Sequence, residues 1–289
     1  MIRHLRLTLI LAALAALLST VPGCAPKRPV DARLASPEAV WMAFRRNYCV
    51  VPPAPGLLAK ASLYYTRTTP TRRTNRTLVT LWGDFRGVMR LDLAAGMGKL
   101  LAHIREDRDG LLVYYPTEGK AYAHTDPILG ATRLGMPFPF SLNELARVIA
   151  GDFSGLVPRA PGRGVREGDL FRYVVADALV TAVTLDALGR PVLLEGRTTK
   201  VDASARAWTL EINAYGEEPA DGKPPLPERL SLALDNGESG VLRIRSRALK
   251  LAPWPAKSLD LPLPEGTEFR RLDRGEQPAG DTPVVYEDK

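Results

Sequence analysis

From Leu57 onward, short segments of this chain alternate between apolar and polar residues, and no other feature limits its possible folds so strongly. Met89, Leu91 and Leu93 alternate with Val88, Arg90 and Asp92, and Leu100, Ala102 and Ile104 with Leu101, His103 and Arg105. Trp208, Leu210 and Ile212 do the same with Ala207, Thr209 and Glu211, as do Leu230, Leu232 and Leu234 with Ser231, Ala233 and Asp235. A period of two sends successive side chains to opposite faces, so each segment is a strand with one dry face and one wet face. Turn signals separate the strands: Gly96-Met97-Gly98, Asp109-Gly110, Glu118-Gly119, Leu188-Gly189-Arg190 and Asn236-Gly237. About 11 strands with short connections result, and the expected fold is mainly β, an antiparallel meander.

Two helices interrupt this pattern. Ser36-Pro37-Glu38 supplies an N-cap, a proline at the first helical position and an acidic first turn. Val40, Trp41, Phe44 and Tyr48 then keep helical spacing until the cluster Pro52-Pro53-Ala54-Pro55-Gly56. Ser141-Leu142-Asn143-Glu144 forms a capping box, and Leu145, Val148 and Ile149 make a stripe that stops at Gly151. A large curved sheet with an apolar concave face needs that face covered, either by these helices or by a ligand.

The N-terminus carries a separate message. Arg3, His4 and Arg6 precede the uncharged run Leu7–Leu18, which is shorter than the roughly 20 residues of a spanning helix but fits the apolar region of an export signal. Val21-Pro22-Gly23-Cys24 follows and resembles a bacterial lipobox, in which the cysteine takes diacylglycerol and becomes the mature N-terminus. By resemblance to lipoprotein sorting rules, Ala25 after the cysteine directs the product to the outer membrane. Residues 1–23 are thus expected to be a signal peptide, 24–35 a tether, 36–252 the folded domain and 253–289 a C-terminal extension, the whole being lipid-anchored at Cys24 and facing the periplasm.

Composition narrows the function. Of two cysteines, Cys49 remains after Cys24 is assigned to lipid, so disulfide-stapled folds are excluded, and Cys49 is expected to be a buried small hydrophobe. The formal charge of +7, with no nucleic-acid-binding motif, favours anionic membrane surfaces over nucleic acid. Arg72, Arg73 and Arg76 form a basic turn that either touches head groups or is ordinary hairpin charge. His103 and His124 lack metal-ligand spacing, and His103 is expected on the outer face. With no nucleophile elbow either, the expectation is a binding protein without catalysis, metal or cofactor.

The segment Leu134-Gly135-Met136-Pro137-Phe138-Pro139-Phe140-Ser141-Leu142-Asn143-Glu144-Leu145, closing on Ala150-Gly151, resembles the signature of the LolB family. Members are outer-membrane lipoproteins that accept other lipoproteins from the periplasmic carrier LolA. The hairpin from Leu91 to Ile104 matches the place where the family projects a loop with an exposed apolar tip, and Tyr215-Gly216 with the following Pro-rich loop falls in family order. The resemblance spans about Ala61 to Leu251. The sequence departs from the family in a longer leading tether and helix, in residues 253–289, and in a loop whose tip is Met97, not leucine.

The resemblance implies a half-open, unclosed barrel with helices plugging its concave face. In such a barrel Met89, Leu91, Leu93, Leu100, Ile104, Trp208, Leu210, Ile212 and Leu232 would line a cavity for acyl chains, and Met97 would be the membrane-insertion loop. The implied partners are acylated lipoproteins or other lipids, a LolA-type carrier, and the membrane through the N-terminal lipid, with the protein a monomer. An alternative stands beside this one: the helices at 36–48 and 141–150 fill the concavity, and the chain is a structural or adaptor lipoprotein of the envelope.

Overall fold

A computed structural model describes residues 36–136, 138–175, 179–198 and 206–275, the side chain of Met97 excepted. Among these residues lie fourteen strands: β1 (Gly56–Arg67), β2 (Arg73–Asp84), β3 (Met89–Ala94), β4 (Leu100–Asp107), β5 (Gly110–Tyr115), β6 (Lys120–His124), β7 (Gly164–Glu167), β8 (Leu170–Val174), β9 (Val180–Asp186), β10 (Pro191–Arg197), β11 (Ala207–Tyr215), β12 (Pro227–Leu234), β13 (Ser239–Lys250) and β14 (Glu268–Arg271). Four helices accompany them: α1 (Pro37–Tyr48), α2 (Pro127–Arg133), α3 (Leu142–Ile149) and the short α4 (Ala256–Leu259).

All fourteen strands form one sheet in the order β14-β6-β5-β4-β3-β2-β1-β13-β12-β11-β10-β9-β8-β7. β14 and β7 are its two edges and do not pair with each other, so the sheet curves without closing. Every pairing is antiparallel except β14 with β6. The long hairpin β1–β2 anchors the centre, in register from Gly56↔Asp84 to Arg67↔Arg73, and β13 closes back on β1 with a bulge at Lys60/Ala61. β7 and β14, four residues each and too short to show a period of two, account for two of the three strands beyond the eleven read from alternation.

The alternating apolar residues face the concave side. Leu57, Leu81, Met89, Leu91, Ile104, Val113, Trp208, Leu210 and Leu230 are all at most 2% exposed. Over the β7–β11 half, α1 fills the concavity. Ser36 caps it by accepting from the Ala39 amide, and Trp41 packs 4.9 Å from the Tyr173 ring and 5.2 Å from Phe44. Tyr48 meets Tyr215 at 5.8 Å and Phe153 at 6.4 Å, and its hydroxyl donates to the Pro225 carbonyl. The β9–β10 turn runs directly under the helix: a Cβ on Gly189, at φ +77°, would stand 2.6 Å from the Phe44 amide nitrogen.

α3 lies over the centre, against β3, β1 and β12. Its expected capping box is present, with the Ser141 hydroxyl accepting from the Glu144 amide and the Glu144 carboxylate accepting from the Ser141 amide. Its last carbonyl, that of Ile149, accepts from the half-buried Arg247 guanidinium at 2.6 Å.

Residues 253–275 run across the convex face. Trp82 donates to the Ser258 carbonyl, and Arg90, 5% exposed and 5.2 Å over the Trp82 ring, donates to the Asp260 carbonyl. The segment then joins the far edge as β14 and buries Leu272 beside α2, where Arg133 donates to the Leu272 carbonyl. Among the described residues no helix is long and apolar enough to cross a membrane.

Candidate functional site

Where α1 fills one half of the concave face, the β1–β5 half leaves a cavity of about 370 Å³. The sheet supplies its floor: Leu63 of β1, Leu91 and Leu93 of β3, Ile104 of β4 and Leu111 of β5. The roof is α2 and the segment after it, through Ala131, Leu134, Met136, Phe138, Phe140 and Leu142. Ligand pockets commonly span about 300–1,000 Å³, so this one is at the narrow end. It offers room for a single chain rather than several.

Local chemistry holds the roof in place. Asp126 caps α2 by accepting from the Leu129 amide at 2.9 Å, with Pro127 at the first helical position. Gly130 lets the helix settle onto the sheet, since a Cβ there would stand 2.7 Å from the His124 Cβ. Farther along, Phe138 and Phe140 pack at 6.5 Å, and Phe140 meets Trp208 edge-on at 6.2 Å.

One end of the cavity is polar. Arg67, Asn75 and Thr77 of the β1–β2 hairpin, Arg206 before β11, and Asn236 and Glu238 of the β12–β13 turn form a collar. The register brings them together: Arg67 pairs with Arg73, Thr66 with Ser239, and Arg197 with Ala207, so these turns share one end of the sheet. The Thr68 hydroxyl donates to the Asn236 carbonyl and ties two of the turns together. Burial, and beside it the Glu238 carboxylate, raise the pKa of the Tyr65 hydroxyl, which stays protonated at neutral pH. Arg67 is half-buried and Arg206 exposed, and among the described residues no carboxylate pairs with either.

A single carboxylate, that of Glu106, stands within the apolar wall. It accepts from the amides of Leu142 at 2.7 Å and Asn143 at 3.2 Å, the first turn of α3. Burial pushes its pKa up to about 7. The two amide bonds pull it back, while the neighbouring Glu144 and Asp107 charges add to the rise.

Of the residues singled out in the sequence, Leu91, Leu93 and Ile104 line this cavity. Leu210 and Leu232 border a separate void of about 20 Å³ beneath Phe138 and Phe140, little more than one water molecule's room. Met89, Trp208 and Ile212 are buried in packed core away from the cavity, because α3 and Phe140 cover that part of the sheet. Leu100, half-buried near the β3–β4 turn, does not line it either. The backbone of Gly96–Gly98 forms a tight 3-10 turn at the same end of the sheet as the collar. The Met97 side chain, Cys24 and the leader lie outside the described residues.

Sequence reasoning missed the roof and the collar. The roof residues Leu134 to Leu142 nonetheless lie within the segment Leu134–Leu145 that carries the family resemblance. The other candidates take ordinary places. His103 is on the outer face, 2.7 Å from the Asp92 carboxylate and stacked on Tyr114, while His124 is buried and accepts from the Asp126 amide. Cys49 is a half-buried free thiol whose pKa burial pushes up to about 12. Arg76 lies 5.9 Å over the outer Tyr64 ring, and Arg72 and Arg73 are exposed. Among the described residues no group of side chains is arranged to hold a metal ion.

Comparison with known proteins agrees with this architecture. No protein-family model and no curated protein matches the chain in sequence. Among solved structures, a LolA superfamily protein from Nitrosomonas europaea superposes with a TM-score of 0.52 at 14% identity, covering 78% of this chain and 98% of that one. A putative outer membrane lipoprotein-sorting protein domain from Vibrio parahaemolyticus matches with a TM-score of 0.44 at 12% identity, covering 80% and 97%. At such identities the likeness concerns the fold alone: the chain has a LolA-like open barrel.

Proposed function

We propose that this protein is an envelope lipoprotein that holds an acyl chain between its sheet and the 134–142 roof. The observation that carries this is the roofed apolar cavity, left open where the other half of the same concave face is filled by aromatic side chains of α1. An apolar wall binds methylenes by area. At roughly 0.8 kcal/mol each, ten buried methylenes contribute about 8 kcal/mol before the cost of association. Such a wall does not require rigid polar matching, which suits cargo passed between hydrophobic grooves.

The finer reading is that acylated proteins arrive from a LolA-type carrier and leave into the outer membrane. In this reading Cys24 carries the anchoring lipid and Met97, at the tip of the β3–β4 hairpin, enters the bilayer interface as cargo is released. The fold of the Nitrosomonas protein and the position of that hairpin beside the collar support it. The filled-barrel adaptor remains the competing reading.

The test is binding of a fluorescent acyl probe to the delipidated protein. Leu93 is only half-buried on the cavity floor, so Leu93→Glu should keep its circular dichroism while losing at least tenfold in probe affinity. A folded variant with unchanged affinity would favour the adaptor. For the finer reading, Cys24→Ala should take up no labelled palmitate. Met97→Glu should accept acylated protein from a LolA-type carrier yet deliver little of it to liposomes. Delivery at the wild-type rate would rule out insertion through that loop.

A further inference from the structure

We infer that the ligand of this cavity carries an anionic head, a carboxylate or phosphate, which Arg67 and Arg206 receive at the collar. This deepens the acyl-binding reading and rests on it, and it stands against the finer reading of an acylated-protein cargo, since a diacylglyceryl cysteine carries no anionic group at its chains. The cavity is amphipathic along its length. Leu91, Ile104 and Leu111 enclose one part, while every charged residue that lines the opposite end belongs to the turns of the sheet.

Three of those charges matter: Arg67, Arg206 and Glu238. Neither guanidinium has a carboxylate within ion-pair distance among the described residues; Arg206 is exposed, and half-buried Arg67 differs in this from most half-buried arginines here. Arg105 pairs with Asp107, Arg147 with Asp152, Arg172 with Glu195, and Arg190 with Asp186. Glu238 faces the Tyr65 hydroxyl. The collar therefore presents an excess of donors, with Asn75 and Asn236 beside them, to whatever lies at the mouth. A guanidinium presents a planar fork that matches a carboxylate or phosphate, and bonds of this kind are about twice as strong as neutral ones. A neutral or cationic head would leave both forks facing only water. The volume limits the tail to a single chain, so the ligand class is an anionic single-chain amphiphile or one anionic chain of a larger lipid.

The experiment displaces a neutral apolar fluorophore, N-phenylnaphthylamine, from the full-length protein with dodecanoate, dodecyl phosphate, dodecanol or dodecylamine at pH 8. Dodecanoate and dodecyl phosphate should displace it at concentrations about tenfold below dodecanol, with dodecylamine weakest, and the advantage should shrink in high salt. In Arg67→Gln/Arg206→Gln the ratio of dodecanol to dodecanoate needed should collapse toward one, and in Glu238→Gln it should grow. Equal displacement by all four amphiphiles in the wild type, or a preference that survives the double substitution, overturns the head-group assignment while leaving acyl binding standing. If the fluorophore binds and none of the amphiphiles displaces it, acyl binding itself fails, and this inference with it.

Discussion

Glu106 shows how a single residue in this site couples to its surroundings. Its carboxylate closes the first turn of α3 through two amide hydrogen bonds, yet burial raises its pKa from 4.5 to about 7. A carboxyl whose pKa is higher in the folded state binds more protons folded than unfolded. Its contribution is therefore complete below pH 4.5 and is lost as pH rises through about 7. At 1.36 kcal/mol per unit, the amount at stake is on the order of 3 kcal/mol. Glu106→Gln keeps one acceptor for the helix and removes the titration. Urea denaturation at pH 5 and pH 8 should show a smaller pH difference in the variant than in the wild type, and identical differences would mean that the Glu106 carboxyl ionises as it would in water. Nothing in the sequence marked Glu106, because its partners, the first amides of α3, lie 36 positions away until the fold carries the helix across it. Arg67 and Arg206 were silent for the same reason: they are 139 positions apart in the chain and line one cavity only because β13 pairs with β1 and, through β12, carries β11 beside it.

At the scale of elements, local signals were read well where the physics is local. The helix spacing of Val40, Trp41, Phe44 and Tyr48 and the capping box at Ser141 both appear as expected. α2, a seven-residue helix of Pro127-Ile128-Leu129-Gly130-Ala131-Thr132-Arg133, was missed because it is too short to show a stripe and contains a glycine. That glycine is what lets it approach β6. β14 was missed because nothing within four residues of sequence specifies pairing with a strand about 150 positions earlier. α1 is held from below by a turn that sequence did identify. Gly189→Ala should destabilise the fold by more than ~2 kcal/mol, since the left-handed backbone costs about 1–2 kcal/mol for an alanine and its Cβ would press on the helix backbone. Chemical denaturation measures this. A loss of under 0.5 kcal/mol would mean that α1 rides more loosely over the turn than its packing indicates.

For the whole molecule, alternation was enough to predict a mostly antiparallel sheet with one dry face, and the family resemblance implied that this sheet stays unclosed. Alternation could not say how that face is shared between packing and cavity. Leu91 and Trp208 have the same pattern and nearly the same burial, yet one faces the cavity and the other sits under Phe140. The difference is made by which covering segment lies above each, and that is a tertiary fact. The division itself has a simple physical cause: α1 brings two six-membered rings and an indole to the β7–β11 half, whereas α2 brings small residues to the other. The concave face is therefore packed in one half and hollow in the other.

The central claim is that the open half holds the acyl chain. A dodecanoate bearing a terminal diazirine, bound to the delipidated protein, irradiated and mapped by peptide mass spectrometry, tests it most directly. The expected result is one label per molecule, on the roof at 134–142 and on the floor strands around Leu63, Leu93 and Ile104. Labels spread over the convex face, or concentrated beneath α1 around Tyr173 and Phe153, would contradict it.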